Sequence, residues 1–98
     1  MVTNIATIKS VIAQNRNNLN DKYNVKNIGI FGSVASGKNT ETSDVDMLVE
    51  FSQPIGMFKF IELEEYLSKI LGKRVDLATP KALKSTIKDD ILHQLIYV

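Results

Sequence analysis

Cysteine is absent from the 98 residues, which excludes disulfides and thiolate metal sites and leaves a reducing compartment open. An excess of either charge is missing too. Twelve Lys and Arg stand against 11 Asp and Glu, a net +1, so no long-range field favours a nucleic-acid partner or a membrane surface. A basic patch would have to be local. No apolar run is long enough to span a bilayer, and the first residues begin a polar–apolar helical pattern, not a signal peptide. A cytoplasmic location is the expectation. Internal repeats, low-complexity tracts and flexible linkers are also lacking. A chain of this length has room for one domain, residues 1–98, and buries roughly 60–65% of the surface its unfolded form exposes.

What is present is organised around residues 28–51. An apolar run ends in Gly32-Ser33, a polar loop follows, and Asp44 and Asp46 open a second apolar run. The pattern predicts strands over 25–31 and 44–51, joined by a tight turn and one helical turn stopped by Gly37. Ahead of them, Ile5, Ile8, Ile12 and Leu19 predict a helix over 4–19, with Thr3 or Asn4 as its cap and the asparagine-rich run 15–20 fraying or ending it. Beyond the break at 52–56, Phe60, Leu63, Leu67 and Ile70 repeat at helical spacing, widened by Ile61 and Leu71 and closed by Gly72. Residues 73–78 read as a third strand. Thr79-Pro80 reads as the start of a last helix with Leu83, Ile87, Ile91 and Leu95 as its apolar stripe. Residues 96–98 either end that helix or pair as an edge strand. The expected fold is α+β, a two-layer arrangement in which helices cover one face of a small mixed sheet.

Strand alternation gives this order its chemical content. Residues i and i+2 share a face, so Asp44 and Asp46 project together while Val45, Met47 and Val49 face the other way. Two carboxylates on one face repel each other unless a cation lies between them, and magnesium prefers carboxylate oxygens. Asp76 joins the pair if its strand neighbours residues 44–51. Three carboxylates at one sheet edge meet the need of a two-metal phosphoryl-transfer site. Gly32 lets backbone N–H groups approach a phosphate, and the Ser33 hydroxyl can donate to one. Each of these signals is common alone, and their combination in this order is far more specific.

Gly32-Ser33, a ten-residue loop, Asp44-Val45-Asp46, and later Val75-Asp76-Leu77 together resemble the nucleotidyltransferase superfamily that includes DNA polymerase beta. The likeness is nearest to the minimal nucleotidyltransferases and runs from Asn27 to Val98. The resemblance implies that Asp44, Asp46 and Asp76 hold two Mg2+ ions and carry catalysis, with Asp76 helping to activate the acceptor. It implies that Gly32 and Ser33 hold a nucleoside triphosphate, with ATP as donor. It also implies a partner protein, a helical toxin of the HEPN class, that receives NMP on a hydroxyl, with this chain as the antitoxin of a toxin–antitoxin pair. One departure stands out. Many relatives read Gly-Ser-x-Ala-Arg-Gly, whereas this chain has Ser36 in place of the arginine, with Lys38 as a nearby substitute.

The alternative function is a non-catalytic module that binds nucleotide or partner and neutralises the partner by contact. Nucleotidyl transfer to a small molecule is a third reading, which the lack of an acceptor domain disfavours. A homodimer is the default expectation for so small an enzyme. Other residues take structural readings. Glu62, Glu64 and Glu65 read as an exposed helix face, Glu41 as solvated loop, Phe58 and Phe60 as core, and Lys73-Arg74 as a solvated strand end. Glu50 and His93 read as uninvolved.

Overall fold

The computed structural model describes residues 4–98, so a cap at Thr3 lies outside the described residues. In chain order the elements are α1 (Ile5–Gln14), α2 (Arg16–Tyr23), β1 (Val25–Phe31), α3 (Gly32–Ser36), β2 (Val45–Phe51), α4 (Met57–Leu71), β3 (Val75–Ala78), α5 (Ser85–Gln94) and β4 (Ile96–Tyr97). A 3-10 turn, Pro80–Ala82, lies between β3 and α5.

Asn4 caps α1 by accepting the Thr7 N–H at 2.9 Å. The helix expected over 4–19 is in fact two. Asn15 leaves the helical basin, with φ −109° and ψ 9°. Its Nδ2 donates to the Val11 carbonyl at 2.8 Å, and its Oδ1 accepts the Tyr66 hydroxyl of α4 at 2.8 Å. An asparagine that bonds its own backbone competes with the helical ladder, and here a distant tyrosine holds it in place. Ile8, Ile12 and Leu19 are nonetheless all buried, as the apolar stripe requires.

The strands form one mixed sheet in the order β3-β2-β1-β4. β1 pairs antiparallel with β2 and β4, whereas β2 and β3 run parallel. Ile28, Ile30, Val45, Met47, Val49, Val75 and Leu77 turn into a single buried cluster with Ile8, Ile12, Leu19, Leu63 and Leu67. Burying side chains of this kind stabilises the fold by about 1.5–3 kcal/mol each. This is the α+β two-layer arrangement that the pattern predicts. Tyr23 and Tyr66 stack at 5.6 Å and join α2 to α4.

The opposite face carries Phe31, Asp46 and Asp76 in one row and Gly29, Leu48 and Ala78 in the next. Leu95 lies over Gly29, where an added Cβ would stand 2.6 Å from its Cδ1. A side chain at position 29 would therefore push Leu95 away.

Expectations for the last helix and for Phe58 are corrected. The last helix does not start at Pro80, and Thr79 makes no side-chain cap bond. Leu83 and Lys84 are extended, so α5 begins only at Ser85 and leaves Leu83 and Leu95 outside it. Ile96 and Tyr97 instead pair with β1, the edge-strand alternative. Phe58 is not core: it is 88% exposed, and Ile61, one turn on, is 45% exposed. Both lie on the side of α4 turned from the sheet. Among the described residues, no helix is long and apolar enough to cross a membrane.

Candidate active site

Gly32 ends β1 and opens α3 with φ +75°, in the left-handed region that favours glycine. A Cβ there would collide with Asp46 Oδ2 and lie 3.2 Å from the Asp46 carboxyl carbon. The turn and the aspartate are thus fitted to each other. The Ser33 carbonyl accepts the Lys38 N–H at 2.9 Å and the Ser36 hydroxyl at 3.2 Å. Ser36 therefore uses its side chain to close α3. Lys38 is exposed just beyond the turn.

The parallel register sets Asp46 directly beside Asp76. Asp44 stands one residue before β2, and the Val45 N–H donates to the Arg74 carbonyl at 2.9 Å, fastening the start of β2 to β3. Burial pushes the Asp46 carboxyl above the usual carboxylate range, and the charges of Asp76 and then Asp44 push it the same way. The sheet has thus gathered negative charge around a half-buried carboxylate.

The side-chain tips do not converge. Among the described residues, no three His, Cys, Asp or Glu side chains stand close enough together to hold one ion. Asp44 turns instead towards Arg74, with 4.0 Å between Oδ2 and Nε. The three carboxylates share neighbouring backbone positions without sharing a ligand point. The donor set still fits a hard divalent cation: every candidate ligand is a carboxylate oxygen, and the repulsion among them is what such an ion would relieve.

Besides Phe58, one further structural reading fails and the others hold. Glu62 is exposed beside Lys22 and Lys59, at 3.8 and 3.7 Å. His93 Nδ1 donates to the Asp89 carbonyl within its own helix, at 2.7 Å. Glu50 is exposed further along β2. It lines an open groove of about 820 Å³ with Met57, Phe60, Leu77, Thr79 and Lys81 among its walls. Glu64, read as exposed, is half-buried and accepts the Leu77 N–H of β3 at 2.9 Å. Sequence reasoning missed this because helical spacing alone does not say which strand edge a helix overhangs. It also missed the Arg74–Asp44 pair.

The family model for the nucleotidyltransferase domain matches residues 12–98. The chain belongs to that family. A protein adenylyltransferase MntA of Thermococcus cleftensis is 44% identical to this nucleotidyltransferase over 91 residues, 93% of this chain and 92% of the relative. A solved structure of a candidate minimal nucleotidyltransferase superposes with a TM-score of 0.72 at 27% identity, covering 93% of this chain and 88% of that one. A chain from the complex of a tri-AMPylated Shewanella oneidensis HEPN toxin with its MNT antitoxin superposes with a TM-score of 0.64 at 21% identity, covering 94% and 68%. The last likeness is one of fold alone. Together these findings bear out the resemblance to the minimal nucleotidyltransferases of the polymerase beta-like superfamily, the fold and the enzyme class.

Proposed function

We propose that this nucleotidyltransferase moves AMP from ATP onto a hydroxyl of a partner protein, and that the partner is a HEPN-type toxin which it restrains as an antitoxin. The observation that carries the reading is the row Asp46–Asp76 beside Gly32. An acidic pair in register lies against a turn whose left-handed glycine leaves no space for a side chain beside Asp46. The name of the Thermococcus relative supports protein as the acceptor, and the fold shared with the Shewanella antitoxin complex motivates the toxin partner.

In this reading Ser33 and the backbone at Gly32 hold the triphosphate. Asp44, Asp46 and Asp76 would hold magnesium, which supplies charge neutralisation and Lewis acidity at the α-phosphate. The acceptor hydroxyl attacks the α-phosphorus in line. A new P–O bond forms, the bond to the β-phosphate oxygen breaks, and pyrophosphate leaves. Asp76, the most exposed of the row, takes the hydroxyl proton.

The test is transfer of label from α-phosphate-labelled ATP, with magnesium, into lysate of the native host. Wild type is compared with the Asp44→Asn/Asp46→Asn double variant. A labelled protein band seen only with wild type supports the reading. One observation favours the contact-only alternative: Ser36 closes α3 by bonding the Ser33 carbonyl, at the position where the resemblance implies an arginine, so that cation is missing from the turn. If the double variant still restrains the partner, contact alone accounts for neutralisation.

A further inference from the structure

We propose that Glu64 and Ser68 of α4 are positioning residues for Asp76, acting as a clamp on the two backbone N–H groups that flank it. The inference deepens the function proposed above, and its activity readout rests on that reading.

β3 is an outer strand with β2 as its one neighbour. Its four residues make it a short support for a functional carboxylate. The Val45 N–H bonds the Arg74 carbonyl, so alternation turns the backbone groups of Arg74, Asp76 and Ala78 towards β2. The backbone groups of Val75 and Leu77 point outwards, where an ordinary edge would offer them to water or to another strand.

Here α4 takes both donors. The Leu77 N–H donates to Glu64 Oε2 at 2.9 Å, and the Val75 N–H donates to Ser68 Oγ at 3.0 Å. The Ser68 hydroxyl in turn donates to the Glu64 carbonyl at 2.9 Å, so one turn of helix carries a closed set of bonds. Residues four apart share a helix face, which places both side chains over the strand. The side chains of Val75 and Leu77 are buried in the core with Leu63 and Leu67. The backbone is thus held on each side of Asp76 by a polar bond outwards and an apolar side chain inwards. Asp76 itself stays exposed on the open face beside Asp46. A reacting group must be held within fractions of an ångström, and the bond to Leu77 is the stronger of the two because its acceptor is a carboxylate.

Simple edge protection is the competing account, and it predicts no effect on Asp76. The variants are Glu64→Leu, Glu64→Gln and Ser68→Ala. The readouts are amide exchange at Val75 and Leu77, Mn2+ broadening of the Asp76 resonances, and kcat and nucleotide KM for transfer. In Glu64→Leu, Leu77 exchange should accelerate and Mn2+ broadening at Asp76 should weaken. Its kcat should fall about tenfold with KM within about twofold, since displacement of a reacting group acts on the chemical step. Glu64→Gln keeps an acceptor oxygen and should restore all three. In an Asp76→Asn background, Glu64→Leu should cost nothing further.

Unchanged Leu77 exchange in Glu64→Leu, or faster exchange with kcat intact, overturns the clamp. If Glu64→Leu does not fold, Ser68→Ala decides: faster Val75 exchange with a kcat loss supports the clamp, and anything less overturns it. If the wild-type chain transfers no nucleotide, the functional reading is what fails. The clamp is then judged on Mn2+ broadening at Asp76, and broadening that survives Glu64→Leu overturns it.

Discussion

The Asp46 carboxylate fills the space that a side chain on Gly32 would need. Gly32→Ala therefore costs twice, once for a positive φ and once for displacing Asp46. The backbone cost is about 1–2 kcal/mol. Gly37→Ala is the control, because Gly37 has the same φ of +75° and nothing within 4 Å of an added Cβ. Both variants should lose about 4–8 °C of melting temperature per kcal/mol. Only Gly32→Ala should also lose nucleotidyl transfer, and equal activity in the two would show that Asp46 had not been moved.

Asp46 is also a source of instability when no cation is bound. Its carboxyl is raised in the folded state, chiefly by burial and then by Asp76 and Asp44. Between the ordinary carboxylate value and the raised one, the folded chain holds more protons than the unfolded chain. Stability therefore falls as pH rises through that window, and at neutral pH the ionised group weakens the fold. In EDTA at pH 7, Asp46→Asn should melt above wild type. The gap should narrow as pH is lowered through the raised carboxyl's titration, and narrow again when Mg2+ is added at pH 7. Transfer by Asp46→Asn should be lost throughout.

Arg74 and Asp44 form an exposed pair at 4.0 Å, with the Arg74 side chain 83% exposed. Pairs of this kind contribute about 0–1 kcal/mol. Arg74→Ala should leave the melting temperature almost unchanged and lower the Mn2+ Kd about twofold, since the arginine no longer competes with the metal for Asp44. A Kd equal to that of wild type, read by calorimetry, would show that the pair holds nothing back.

Ser36 is exposed, so Ser36→Arg can be accommodated, and it installs the arginine that the family resemblance implies at this position. It gives up one hydrogen bond to the Ser33 carbonyl and gains a cation beside the phosphate turn. A partly solvated contact to phosphate is worth about 1 kcal/mol, so nucleotide KM should fall about fivefold with kcat little changed. A KM that does not move would mean that residue 36 does not face the triphosphate.

The outline of the candidate site could be read from local order alone. Alternation placed Val45, Met47 and Val49 in the core and Asp46 on the open face, as observed. Gly32 and Gly37 bracketed a helical turn because a chain that needs positive φ tends to use glycine there. These signals have periods of two to four residues, and neighbouring residues suffice to express them.

What the sequence determined by itself was therefore which residues of β1, β2 and β3 face the core and which face the open side, because backbone stereochemistry repeats over a few residues. The tertiary structure decided which element meets which. It held Asn15, where the first helix breaks, through Tyr66, 51 positions away. It set Asp46 opposite Asp76 through a parallel pairing, and laid Leu95 over Gly29. It bent Asp44 towards Arg74 and brought Glu64 and Ser68 to the edge of β3. Each of these contacts joins residues far apart in the chain or of unrelated period. They form only when burial of the common core fixes the helices against the sheet, and no local propensity encodes that geometry.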